Sequence, residues 1–356
     1  MVNVIDALVA LVVLAVLVAG VALIAGGGAA DTRYATIDLG AQPDYTAGQI
    51  TVGDEWDVDG GLMITDVYMY PAADDDDGDT NVMVRAAVNG TEIDPDAGEG
   101  GPISFNGEPL RFGRSLEIAT SEWAAEGQVI DVGPDDDSLA VDTEDMVVQT
   151  TTDPTTARQI QPGDTYTVGE TTLLSVESVT TYQTANPNER RVVLSVSAAT
   201  RLDGERQLFG ERPVQAGETV PIRTGTYSLT SEIVNTGSLE EPGTPATQTA
   251  TIELESMTQS RADRLSIGMT EAVGGVQTAE VVGIENTPRE EVVQSGDGFQ
   301  VIEHPRDREV TLTVDLEVYD QDDETVRFRG EQLRTGDEVT LTLDGVTVQG
   351  ELASLD

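Results

Sequence analysis

The run Asp74, Asp75, Asp76, Asp77, followed by Gly78 and Asp79, is the densest group of potential cation ligands in the chain. Carboxylates around a turn glycine are what calcium requires. An EF-hand loop registered on Gly78 needs an acid five residues earlier and a bidentate acid six residues later, where the chain has Ala73 and Val84. The motif fails. A looser cation site at Asp74–Asp77 and Asp79 competes with a solvated acidic loop, and the loop is the simpler reading; Asp135, Asp136 and Asp137 are read the same way. Glu108, Glu211 and Glu331 each follow a glycine, with Arg111, Arg212 or Arg334 at or near them. Three equivalent catalytic sites would be odd, whereas a Glu–Arg or Glu–backbone bond stapling a turn would naturally recur.

Other chemistry is excluded by residue type. The chain has no cysteine, which removes disulfides, thiolate metal sites and cysteine nucleophiles. The single histidine, His304, leaves no histidine pair for zinc, and beside Pro305 it reads as a surface residue. No Gly-x-Ser-x-Gly elbow, phosphate loop or dinucleotide fingerprint occurs. No catalysis and no cofactor are expected. Asn89-Gly90-Thr91 is a glycosylation acceptor sequence, and Asn89-Gly90 and Asp344-Gly345 are hairpin-turn signals.

All 19 cations among the 356 residues are arginines, against 65 acids, for a formal net charge of -46. Such a polyanion repels phosphate backbones, so nucleic acid is excluded as a partner. The acids are interleaved with β-branched residues at strand spacing. In multimolar salt, where screening acts over about 3 Å, the self-repulsion that would unfold the chain is suppressed. The composition predicts an extreme halophile, an archaeon.

The N-terminus is apolar from Ala7 to Ala25, 19 residues without a polar side chain. At about 1.5 Å per residue this nearly spans a hydrocarbon core of about 30 Å. Met1 to Asp6 contains no Lys or Arg, which disfavours a cleaved signal peptide. Residues 1–30 therefore read as a transmembrane anchor in the lipid bilayer, ending in the glycine hinge Gly26–Gly28, with the bulk extracytoplasmic. Asp6 sits at the start of the span, where it faces the interface or, in a pilin-like filament, a neighbouring subunit's amine. Val2 to Ile24, together with ATIDLGAQPDY (Ala35 to Tyr45) and FNGEPLRFG (Phe105 to Gly113), resembles haloarchaeal membrane-anchored proteins of domain-of-unknown-function family 4330. That resemblance implies the anchored architecture and says nothing about mechanism.

Beyond the anchor the chain repeats itself. Ile37 is followed by Ile50 at +13 and Gly53 at +16; Ile252 leads to Leu265 and Gly268, and Val147 to Ile160 and Gly163, at the same offsets. Each copy closes with an apolar residue, Gly-Glu and a second glycine: Phe105, Gly107 and Gly113; Leu208, Gly210 and Gly217; Phe328, Gly330 and Gly336. The copies are domain-sized, which predicts β-domains over 31–133, 146–235 and 250–356, joined by linkers at Gly133–Asp145 and Thr236–Thr249. Alternation such as Val310, Leu312, Val314, Leu316 and Val318 marks antiparallel strands. The fold expected is mainly β: three β-sandwiches or β-barrels of about six strands, each burying its own interior and carrying a short helix in PDYTAGQI, PTTARQI or SRADRL.

The expected function is a membrane-anchored envelope protein whose β-domains form a stalk or interaction module, with self-association or other envelope proteins as partners. The alternatives are a pilin-like filament subunit and a cation- or polysaccharide-binding module. The halophilic reading predicts that β-type circular dichroism is lost at tens of millimolar NaCl and retained in multimolar salt; a cooperative fold in low salt would refute it.

Overall fold

The computed structural model describes residues 30–58, 60–72, 79–94, 101–136, 139–273, 276–295, 298–322 and 325–356. The apolar run Ala7–Ala25, its hinge and Asp74–Asp77 lie outside the described residues. Among those described, no helix is long and apolar enough to cross a membrane.

Three barrel-like sheets follow one another. The first holds β1 (Ala30–Pro43), β2 (Glu55–Trp56), β3 (Leu62–Pro71), β4 (Asp79–Glu92), β5 (Ile103–Phe105), β6 (Glu108–Pro109), β7 (Ser115–Ala119) and β8 (Ala124–Gly133). The second holds β9 (Val141–Thr152), β10 (Thr165–Val168), β11 (Thr171–Gln183), β12 (Arg190–Asp203), β13 (Arg206–Phe209), β14 (Arg212–Pro213), β15 (Thr219–Arg223) and β16 (Ser228–Thr236). The third holds β17 (Thr244–Thr258), β18 (Thr270–Val273), β19 (Val276–Ser295), β20 (Gly298–Asp322), β21 (Thr325–Phe328), β22 (Glu331–Leu333), β23 (Glu338–Leu343) and β24 (Val346–Leu355). Six strands form the main path in each, ordered β2-β3-β4-β1-β8-β7 in the first, and a two-strand hairpin branches from β4 or its counterpart. The helices α1 (Asp44–Ala47), α2 (Pro154–Gln159) and α3 (Gln259–Ala262) fall in the three expected segments and each buries one alanine.

Residue pattern accounts for these elements. Along β20, Val310, Leu312, Val314, Leu316 and Val318 point inward and are almost fully buried, as a period of two requires. Gly53, Gly163 and Gly268 have φ of +95°, +91° and +85°, a region open to glycine. Their N–H groups donate to the carbonyls of Ile64, Val176 and Val281. The two ends of each path are clasped together: Trp123 Nε1 donates to Asp54 (2.7 Å), Tyr227 OH to Asp164 (3.0 Å), and Asp344 N–H to the Thr270 carbonyl (2.9 Å).

The structure corrects the repeat ruler by one residue in the middle copy. Val148, not Val147, stands where Ile37 and Ile252 stand, opposite Leu194 and Ile233. Bulges after Asp38 and Leu254 add a residue to β1 and β17, and β9 pairs with β12 without one. The closing signature slips likewise: Phe209, not Leu208, matches Phe105 and Phe328. Asn106-Gly107 and Arg329-Gly330 turn with both φ positive, whereas in Gly210-Glu211 only the glycine does. Turns of opposite glycine placement thus hide the same hairpin. Asp344-Gly345 is the hairpin turn expected, but Asn89-Gly90 lies inside β4, where Asn89 pairs with Thr32.

Neither linker is a free tether. β9 starts at Val141 and β17 at Thr244, because both strands extend to pair with Arg201 and Asp320. The third sheet has its own core, but the apolar cores of the first and second are continuous, contrary to the expectation of separate interiors. Between the same two copies Gly48 and Gly169 bring their backbones so close that a Cβ on either would fall within 3 Å of the other. Gly127 is equally confined, since a Cβ there would lie 2.6 Å from Leu39 and 2.7 Å from Ile37. Gly127→Val is expected to cost about 2–3 kcal/mol through overpacking, read as a lowered denaturation midpoint at constant salt.

Candidate functional site at the junctions between copies

The residues singled out by type do not converge on a reaction centre. Asp79 lies in β4, and its carbonyl accepts from Arg223 at 3.1 Å. Among the described residues no group of three or more His, Asp or Glu could hold a metal. His304 is half-buried, its Nδ1 accepting the Asp307 N–H at 2.9 Å. Asn89 accepts from Thr32 Oγ1 at 2.7 Å. Buried Arg33 lines a cavity of about 260 Å³, where its guanidinium is already held by Gly101, Thr32 and Asp31.

The expected threefold Glu–Arg staple exists only in part. In the first copy Glu108 faces Arg114, not Arg111, at 3.8 Å, and Arg114 also bonds the Phe105 and Glu108 carbonyls. In the second, Arg212 occupies the place of Glu108 and bonds Thr219, while Glu211 sits in the turn. In the third, Glu331 reaches out of its own sheet to pair with Arg191 of the second, and Arg334 bonds Gln332.

That reach identifies what the hairpin is for. At the first junction the β13–β14 turn presses on β3. Gly210 N–H donates to the buried Tyr68 hydroxyl at 2.7 Å, and that hydroxyl donates to the Leu208 carbonyl at 3.3 Å. Tyr70 stacks on Tyr68, and a Cβ on Gly210 would lie 2.5 Å from its ring. A few residues away, Thr80 donates to Asp44 at 2.6 Å and is bonded to Tyr166, whose ring carries the Arg223 guanidinium. Asp66 accepts the Leu139 N–H at 2.8 Å, pinning the connecting segment.

The second junction repeats the geometry with different chemistry. The β21–β22 turn meets Arg191 and Val193, Arg327 bonds Gln149 at 3.3 Å, and Thr342 bonds Gln183 at 3.1 Å. Val147, Tyr182 and Val193 form the apolar patch with Val234 and Val273. Tyr70 and Tyr182 are equivalent, each opposite the residue three before the core residue Val84 or Leu194. Beneath this junction Arg329 pairs with Glu271, which also accepts the Thr342 N–H.

Burial sets the electrostatics. It pushes the Tyr68 hydroxyl up to about 12, raises Tyr70 and Tyr182 further, and draws Arg329 down to about 10. Phenols and guanidinia so committed act as clamps. Sequence reasoning missed them because neither a lone tyrosine nor an arginine in a strand carries a spacing signal; the Phe–x–Gly turn was visible, its partner was not. Comparison with protein-family models, curated proteins and solved structures finds no match.

Tyr68→Phe is expected to cost about 1–2 kcal/mol near neutral pH, because the Gly210 N–H loses its acceptor. Since the folded Tyr68 hydroxyl is raised from 10.0 to about 12, its contribution is complete below pH 10 and declines as pH rises toward 12. Denaturation midpoints across that range should fall less steeply in the variant.

Proposed function

We propose that this protein is a non-catalytic, membrane-anchored envelope protein of an extreme halophile, its three β-domains held in series as a stiff spacer that presents the last of them away from the bilayer. The observation that carries this reading is the repeated junction. A hairpin turn of one copy is buried on the sheet of the copy before it, twice, with the connecting segments bonded down rather than loose. Flexible tethering would need none of these contacts. The apolar Ala7–Ala25 run supplies the attachment, and the resemblance of the N-terminal segment to anchored haloarchaeal proteins agrees with it. The acidic surface keeps such a spacer hydrated in strong salt.

The test is fractionation of the full chain from cells grown in high salt. An anchored spacer is extracted by detergent as monomers or small oligomers, with its β-domains cleaved by protease added outside intact cells. Recovery in sheared, pelletable polymers visible by negative stain would favour the filament reading, and protection from external protease would reverse the topology.

A further inference from the structure

We propose that the joint between the second and third copies is a releasable hinge: the third copy undocks there reversibly while the first two stay locked as one body. The two joints use equivalent positions, so they can be compared residue by residue. Tyr166 and Arg223 of the second copy correspond to Glu271 and Thr342 of the third, at matching places in β10 and β18 and in β15 and β23. At the first joint both side chains cross to the preceding copy. Tyr166 bonds Thr80 and Asp44, and Arg223 donates to the Asp79 carbonyl at 3.1 Å and to Asp44 at 3.4 Å. At the second, Glu271 turns inward and is taken up by Arg329 and by the Thr342 N–H at 2.7 Å, both in its own copy. Only the Thr342 hydroxyl crosses, to an exposed Gln183.

The hairpin turns differ in the same sense. Gly210 N–H ends on a buried phenol, whereas Gly330 abuts Val193 and makes no bond to the second copy. The polar ties beside Gly330 are Arg191 with Glu331, whose side chain is 60% exposed, Arg191 with the Arg329 carbonyl at 3.5 Å, and Arg327 with Gln149 at 3.3 Å. An exposed ion pair and hydrogen bonds of this length hold weakly. Apolar packing agrees: the first two cores are continuous and the third is separate. In the patch at the second joint Val147, Tyr182, Val193 and Val234 all belong to the second copy, and among the described residues Val273 alone comes from the third. Parting the first joint would split a continuous core and strand the Gly210 N–H without its acceptor. Parting the second returns polar side chains to water and uncovers one small patch. The connection permits the swing, because Glu241 is tied to Tyr182 of the second copy at 3.4 Å and β17 begins at Thr244. Pro242 and Gly243 are left between them to absorb it.

This inference goes beyond the spacer reading, since it names the joint that gives first, and it holds whether or not the N-terminus spans a membrane. The residues before the three equivalent turn glycines, Val52, Pro162 and Ile267, are all exposed, and the protein has no cysteine of its own. Spin labels on Val52→Cys with Pro162→Cys report the first joint, and labels on Pro162→Cys with Ile267→Cys report the second. The full chain in detergent and multimolar NaCl is titrated with denaturant, short of any loss of β-type circular dichroism. The second pair should gain a longer-distance population that disappears on dilution, while the first pair keeps one narrow distribution. Arg191→Gln, and separately Glu331→Gln, should enlarge that population about threefold at fixed denaturant and leave the first pair unchanged. Two distributions that stay equally narrow up to the unfolding transition would overturn the proposal. So would broadening of the first pair before or together with the second, or a long-distance population indifferent to both substitutions. None of these outcomes bears on membrane attachment, which the fractionation decides.

Discussion

A turn with no side chain at its apex, pressed against a tyrosine-bearing strand, decides how the three sheets become one object. Gly210 meets Tyr68 and Tyr70 at a distance that no larger residue could accept, and its N–H finds its acceptor on the neighbouring copy. A buried donor left without a partner costs more than most single contacts return, so this bond fixes how the two copies sit as well as holding them. At the second junction the turn brings Gly330 against Val193, with a charged pair between Arg191 and Glu331 taking the part of the phenol.

The arginines explain how a chain of such negative charge can have polar joints at all. Arg85, Arg191, Arg223 and Arg329 are buried or half-buried, and all four bond carboxylates or carbonyls. A planar guanidinium can serve several acceptors at once and stack on a ring, as Arg223 does on Tyr166. Lysine offers three donors on a point charge but no rigid planar fork to match a carboxylate or lie flat on a ring. Only part of the cation set is committed in this way: Arg111, Arg158, Arg206, Arg261, Arg264, Arg289, Arg306 and Arg334 are exposed and share the outer surface with the carboxylates.

Strand periodicity, the short helices and the number of copies could all be read from the residues, because alternation and turn glycines are local properties. Register could not. The bulges after Asp38 and Leu254 are absent from the middle copy, so a ruler that counts residues lands one position early, on Val147. Asn89-Gly90 reads as a turn by composition, yet pairing with β1 carries the strand straight through it, and the Ser104 carbonyl occupies the space that a side chain at Gly90 would need. The glutamates following the glycines looked like one recurring staple. Their partners differ because one faces its own sheet, one lies in a turn of another type, and one faces a different copy altogether. Long-range placement, not residue type, decided each of these.

The partners at the first junction are made far apart in time. Tyr68 and Gly210 are separated by 142 positions. At the usual pace of a ribosome, about 5 to 20 residues per second, the nascent first barrel spends roughly 7 to 28 s with its tyrosine face uncovered. Biogenesis of this molecule thus includes an interval in which a complete but unfinished module must be kept from nascent neighbours, and the middle barrel serves as the lid that ends it.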